Sequence, residues 1–529
     1  MTKRRDVLKI GLGAGLATGL SGLARHGVAQ AQDALAFDPA AFTELTKVIE
    51  TATGSHDVTY RFWKAVSYVA RPVDAAYQSL NISQPIRIDG REIDASGAPI
   101  LLANAVGGYM PSSVADADGI SGGGMRGRGG PGGGMRGGPG GRPPGVNGPM
   151  EAPTGSNAML DRGRRVSNAE LALAAGYVVV EAGARGRTLT DAAGNHYGVA
   201  PAAIVDLKAA VRYLRHNAGR LPGNTGWIVS SGTSAGGALS ALLGASGDSP
   251  LYGRYLEEIG AAEASDAIFA TGAWCPIADL EHADMAYEWN WGGNPLASGT
   301  VVDATVSGEL RAAFADYQLS LGLRQGAGER PRLTAENLGD HIAETYLRPA
   351  ATRFLAALPD ADRAAYMAAN PVIGWENGEA RFGWAEFLAH AGARKKDVPA
   401  FDAFDLSTGE NNLFGLGQTA ARHFTRYSLR HASGDPAAEL DADIPGKLAL
   451  MNPMHFLSGE NPGRARHWWL RVGAKDSDTS LSVVANLAAS LEKRGNAVDT
   501  RMYWDAGHGA NEDAAEFMAW IGRVTGYAG

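Results

Sequence analysis

Short apolar-rich runs recur at 100–106, 177–181, 227–229, 268–275, 467–472 and 497–504. Few of them alternate cleanly with polar positions, as half-exposed strands would. They read as buried strands, and their alternation with helical segments predicts a mainly parallel sheet with helices on both faces. Segments 201–216, 481–494 and 512–524 instead repeat apolar positions at helical spacing. They predict helices flanking the sheet, an α/β fold class. Roughly two hundred residues separate the run at 268–275 from the run at 467–472, far more than one crossover needs. That span is rich in Trp, Tyr and Ala and helical in pattern at 350–358 and 361–369. It predicts a large, mostly helical lid, 276–452, inserted before the last two strands. The core then comprises 32–275 and 453–529, and the lid covers the carboxyl edge of the sheet, where such folds bind ligands.

The ends and the composition narrow the class. Lys3-Arg4-Arg5-Asp6-Val7-Leu8-Lys9 reads as a twin-arginine export signal, followed by a Gly/Ala/Leu stretch at 10–23 too short for a good membrane span. Ala29-Gln30-Ala31 supplies a small-x-small cleavage site, so residues 1–31 are expected to be removed. That loss of five basic and one acidic side chains takes the net charge from −8 to −12. The expectation is a periplasmic or secreted protein with no stable membrane insertion and no nucleic-acid partner. Oligomeric state is not legible. Residues 122–145 form a Gly/Arg/Pro/Met block that cannot bury enough apolar surface to offset its ordering entropy, so it reads as a flexible loop. Cys275 is the only cysteine, which rules out an intrachain disulfide and a zinc site built on paired cysteines. It reads as an inert core residue, and neither metal nor cofactor is expected.

The candidate chemistry begins at Gly232-Thr233-Ser234-Ala235-Gly236-Gly237, after one apolar run and before a helical stretch. Strand, tight turn and helix in that order form a nucleophile elbow, which lifts a hydroxyl to the end of a sheet. With 71 glycines in the chain, the pentapeptide alone is weak. Its partners add specificity. A serine hydroxyl needs a base, and the base needs an orienting carboxylate. His508 lies between the last strand and the last helix. Asp476 follows the preceding strand, three residues after Gly473, a spacing that allows a sharp turn off the sheet. Asp478 is the alternative acid, and a helix-capping role for both is also open. An oxyanion would meet the N–H of Ala235 and a second donor from Gly107 or Gly108. A serine hydrolase is the reading, with a non-catalytic binding protein on the same fold as the rival.

The chain also resembles the subtype B bacterial tannases, α/β-hydrolases that cleave galloyl esters. The resemblance rests on Tyr60-Arg61, Pro72-Val73-Asp74, Tyr77-Gln78-Ser79-Leu80-Asn81 and Val106-Gly107-Gly108-Tyr109-Met110-Pro111. It continues through Gly183-Ala184-Arg185-Gly186-Arg187, Ala200-Pro201, Val205-Asp206-Leu207-Lys208, the serine run and Asp476-Ser477-Asp478-Thr479-Ser480. It implies an α/β-hydrolase acting on a small phenolic ester without a cofactor. It also implies that Lys396, in Arg394-Lys395-Lys396-Asp397, and Glu410, in Gly409-Glu410-Asn411-Asn412, join Asp478 in holding ring hydroxyls. Lys395 is the alternative to Lys396. Other lidded esterases, such as feruloyl esterases, and serine peptidases are the nearest competitors. The 122–145 block, Ile82-Ser83-Gln84-Pro85, Gly409 in place of Pro and the loop after His508 depart from the family pattern. These departures leave Ser234, Asp476 and His508 in place and bear on substrate preference.

Overall fold

The computed structural model describes residues 34–121, 157–159, 165–326 and 330–528. The export segment 1–31 and the Gly/Arg block 122–145 lie outside the described residues. A ten-stranded sheet runs through the molecule. Its first three long strands, β1 (Thr43–Thr51), β2 (Gly54–Ser67) and β3 (Ser79–Ile88), are antiparallel. Six parallel strands follow: β4 (Pro99–Asn104), β5 (Val178–Ala182), β6 (Asn224–Thr233), β7 (Ala270–Trp274), β8 (His467–Gly473) and β9 (Ala497–Tyr503). The order is β1-β2-β3-β5-β4-β6-β7-β8-β9, and a two-residue strand, Arg91–Glu92, pairs with β3.

The predicted parallel half is therefore present, at slightly different bounds. Val178 to Val180 and Ile228 to Val229 are at most 1% exposed, which explains their unbroken apolar character. β1 reads Thr-Glu-Leu-Thr-Lys-Val-Ile-Glu-Thr with one fully buried position, so it carries no comparable run. From β4 the chain steps outward to β5, then returns past β4 to β6. That reversal opens a crevice at the carboxyl ends of β4 and β6, the usual ligand position in such sheets.

Helices α1 (Ala202–His216), α2 (Ala235–Ala245), α3 (Leu280–Trp291), α4 (Leu481–Lys493) and α5 (Ala514–Thr525) include the predicted flanking elements. Between β7 and β8 the described chain is mostly helical, with one hairpin, Gly374–Glu376 and Glu379–Arg381. Its apolar side chains do not form a separate core; Phe314, Leu347 and Phe387 join the same buried cluster as the sheet residues. Gln318 and Asn486 exchange amide hydrogen bonds of 3.0 and 2.7 Å across this junction. Helix α4 is capped by the Ser480 side chain, so the capping role considered for Asp476 and Asp478 falls elsewhere.

Candidate active site

Ser234 stands between β6 and α2 with φ 61° and ψ −123°, a conformation that L-residues rarely adopt. The surrounding structure holds it there. Its N–H donates to the Trp274 carbonyl at 3.0 Å, and its carbonyl accepts from Ile277 N at 3.2 Å. The flanking glycines answer to space. A Cβ on Gly237 would lie 2.4 Å from the Trp274 carbonyl oxygen, and one on Gly236 2.6 Å from Asn104 Oδ1. Asn104, at the end of β4, donates to the Gly236 carbonyl and to Ser240 Oγ, both at 3.1 Å. The elbow is thus clamped between the ends of two strands, and the loop carrying Gly107 and Gly108 starts from that clamp. α2 begins at Ala235, whose N–H has no preceding helical carbonyl to bond. Gly108 has φ +55°, and its carbonyl accepts from Arg187 Nε at 2.8 Å, which anchors the loop.

His508 and Asp476 meet. Nδ1 of His508 lies 3.0 and 2.9 Å from the two carboxylate oxygens of Asp476, which is fully buried. Asp478 is further away, with a closest approach of 4.0 Å to the same nitrogen, so Asp476 is the partner. Burial opposes a charge on His508, but the Asp476 carboxylate and the adjacent Cys275 thiol raise its pKa well above the ordinary histidine value. Gly473 opens the turn expected of it, its carbonyl accepting from Asp476 N at 3.1 Å, and its missing side chain serves a second purpose. A Cβ there would sit 2.3 Å from the carbonyl oxygens of Ala506 and Gly507, so its bare backbone lets the acid loop touch the base loop.

Cys275 lies in the core as anticipated, but it also borders the His–Asp pair. It is 2% exposed, yet its Sγ shares a cluster with Asp476 and His508 in which the donor atoms lie within 4.8 Å of one another. It also sits in the segment that bonds Ser234 through Trp274 and Ile277, and so links the serine elbow to the His–Asp pair. The available signal was its position: it directly follows β7 at the carboxyl edge, as Asp476 shortly follows β8.

Helix α3 anchors the loops that carry Lys396 and Asp478, two of the expected ring-binding residues. Asp284, Tyr287 and Glu288 of α3 share a face at i, i+3 and i+4 spacing. Asp284 accepts from Phe401 N at 2.7 Å and Asp402 N at 3.1 Å. Tyr287 Oη accepts from Lys396 N at 3.1 Å and donates to the Ser477 carbonyl at 2.8 Å, joining the lysine loop to the acid loop. Glu288 forms a fully buried two-bond pair with Arg394. On this frame Lys395, not Lys396, forms the ion pair with Asp478, at 2.8 Å. Lys396 Nζ lies 3.5 Å from the centre of the Phe401 ring. Burial alone would raise the Asp478 pKa, but His508, Lys396 and Lys395 together hold it below the usual carboxylate range. Half-buried Glu410 opens the short helix Gly409–Leu413, near enough to Tyr109 for its charge to reinforce the effect of burial in raising the tyrosine pKa.

A second network escaped the sequence reading altogether. Asp505, three residues before His508, accepts from Tyr366 Oη at 2.6 Å and pairs with His390 Nε2 at 2.6 Å and Lys475 Nζ at 2.9 Å. Lys475 adjoins Asp476, while Tyr366 and His390 come from the segment between β7 and β8. Four scattered residues of ordinary type leave no periodic or motif signal.

A family model described as BD-FAE matches residues 162–298. No curated protein sequence matches. Among solved structures, the chain is similar to a Fusobacterium nucleatum tannase, with 33% identity and a TM-score of 0.75, covering 93% of this chain and 99% of that one. It is similar to native tannin acyl hydrolase from Lactobacillus plantarum, with 32% identity, a TM-score of 0.72 and coverage of 93% and 98%. A tannin acyl hydrolase in complex with ethyl gallate matches with 32% identity, a TM-score of 0.71 and the same coverage.

Proposed function

The chain belongs to the bacterial tannases, carboxylic-ester hydrolases of α/β-hydrolase fold, and from that premise we propose that it cleaves galloyl and related phenolic esters through Ser234, His508 and Asp476. Ser234 Oγ attacks the acyl carbon while its proton passes to His508, whose ring Asp476 orients. The N–H of Ala235, with that of Gly107 or Gly108, receives the charge developing on the carbonyl oxygen. His508 then protonates the departing alcohol, and an acyl-enzyme remains. Water repeats the sequence, releases the phenolic acid and restores Ser234. The observation that carries this reading is the two-oxygen pairing of Asp476 with His508, tied to the Ser234 elbow through residues 274–277.

Glu410, Asp478 and the adjacent lysines supply the selectivity. A phenol both donates and accepts, so carboxylates and an ammonium group suit its hydroxyls. Tannin acyl hydrolases bind ethyl gallate and 3,4-dihydroxybenzoate, which supports the substrate class. Fluorophosphonate labelling of Ser234 in the folded protein, lost in Ser234→Ala, tests the nucleophile. Profiling of methyl gallate, protocatechuate, ferulate and benzoate tests the acyl group. A site built around ring hydroxyls discriminates against benzoate by a factor on the order of 10⁴. Equal turnover of methyl benzoate and methyl gallate sinks the galloyl assignment and leaves the esterase intact. Within the same proposal, the segment covering residues 276–452 acts as the lid, and Lys3-Arg4-Arg5 directs export to the periplasm or beyond. No described helix is long and apolar enough to cross a membrane.

A further inference from the structure

We propose that Cys275, His508 and Asp476 form a binding site for a thiophilic divalent cation of the zinc or cadmium type, and that its occupancy switches the hydrolase off. One sulfur, one nitrogen and one carboxylate oxygen lie within 4.8 Å of one another. Around a tetrahedral zinc ion, with a Zn–S distance of about 2.3 Å and Zn–N and Zn–O near 2.0–2.2 Å, such donors stand roughly 3.5 Å apart. Closing the difference takes side-chain movements of about an ångström, short of any change in the strands that carry them.

The donor set is selective. Calcium and magnesium take oxygen ligands, and magnesium holds its water tightly, so a thiolate excludes both. Zinc and cadmium accept mixed sulfur, nitrogen and oxygen sites. A thiolate and a carboxylate also neutralise a dication, so the loaded cluster is neutral. Cys275 is 2% exposed and Asp476 fully buried, while the His508 side chain is 20% exposed and offers the approach from the cleft. Binding expels the Cys275 thiol proton to solvent, and no electron changes hands. If the ion takes Nδ1, it displaces that proton too and replaces the bond to Asp476. If it takes Nε2, it consumes the lone pair meant for the Ser234 proton. Either arrangement removes the base.

The effect on turnover rests on the reading of His508 given above; the binding itself does not. Because the chain has one cysteine, any thiolate-to-metal absorption reports this cluster alone. The full chain, freed of metal with a chelator, is titrated with Cd²⁺ while ultraviolet absorbance and methyl gallate hydrolysis are followed together. Near one equivalent, a charge-transfer band rises as the rate falls at least tenfold, and excess chelator reverses both. Cys275→Ala and Cys275→Ser, each compared with its own metal-free rate, show no band and need at least tenfold more Cd²⁺ for the same inhibition. No band in the folded wild type, or equal inhibition in a folded variant at either substitution, overturns the proposal. A band in a protein inactive toward every ester would instead uphold the site and refute the hydrolase reading.

Discussion

Replacing Asp505 with asparagine keeps the shape of the side chain and removes its charge. Three donors converge on this carboxylate: Tyr366 Oη, His390 Nε2 and Lys475 Nζ, at 2.6, 2.6 and 2.9 Å. His390 is stacked on Trp504 with ring centres 4.9 Å apart and planes 5° from parallel, and Trp504 Nε1 donates to Tyr366 Oη at 2.8 Å. The donors are therefore fixed and cannot follow a weaker acceptor. Hydrogen bonds to charged groups contribute about 1.5–3 kcal/mol each against about 1 for neutral ones, so losing the charge costs roughly 1.5–6 kcal/mol across three bonds. Asp505 is 24% exposed and Lys475 30%, and solvent screening brings the figure toward the lower end, about 2 kcal/mol. Since Asp505 and Lys475 sit on the loops carrying His508 and Asp476, about half of that loss is expected to appear as misplacement of the base. That corresponds to a fall in kcat on the order of tenfold, with KM little changed because none of these groups is among those assigned to the ring hydroxyls. The assay is kcat and KM on methyl gallate beside a thermal melt of Asp505→Asn. A lowered melting temperature with unchanged kcat refutes the positioning argument and leaves a purely structural latch. The sign with pH follows from the carboxylate. Burial would raise its pKa, but His390, Tyr366 and Lys475 hold it at about 2, so its contribution is full above about pH 4 and fades as pH falls toward 2.

Three other outcomes are expected. Gly473→Ala, whose Cβ meets two carbonyl oxygens at 2.3 Å, should separate the acid and base loops, with kcat falling about a hundredfold and stability by about 1–3 kcal/mol by circular dichroism melts. The Asp284 carboxyl, pushed up to about 7 by burial and then by Asp402, stays neutral more readily in the folded chain than in the unfolded one. Stability should therefore decline as pH rises from about 4 through 7, and Asp284→Asn should flatten that slope in denaturant titrations at several pH values. Lys395→Ala and Lys396→Ala should both raise KM for methyl gallate, each by about tenfold, while leaving methyl benzoate kinetics nearly unchanged; an effect from only one would identify the lysine that reaches the ring.

The parallel half of the fold was legible because strands buried on both faces are written as apolar runs. β1 was not, since its single buried position, Ile49, lies among Thr, Glu and Lys. Ser234, Asp476 and His508 could be read as candidates because each follows a strand within five residues, where side chains gather at the carboxyl edge. Cys275 follows a strand too, but apolar neighbours on its N-terminal side made it look like filling. Lys395 and Lys396 could not be told apart because adjacent residues of one type differ only in direction, which Asp478 and Phe401 decide. The Asp505 network draws on residues more than a hundred positions apart, and no local pattern encodes that meeting.

The sheet order carries a consequence for how activity is acquired. The serine elbow lies at β6, near the middle of the sheet, and its clamps come from β4 and β7. The acid and base arrive on β8 and β9, at the far edge, after the long helical segment. Until β8 and β9 dock, the serine has no base to use. Recovery of ester turnover on refolding therefore reports the slow, long-range docking of the last two strands, whereas fluorescence from the earlier tryptophans reports collapse. The interval between the two signals measures the delay between burial of the core and assembly of the catalytic groups.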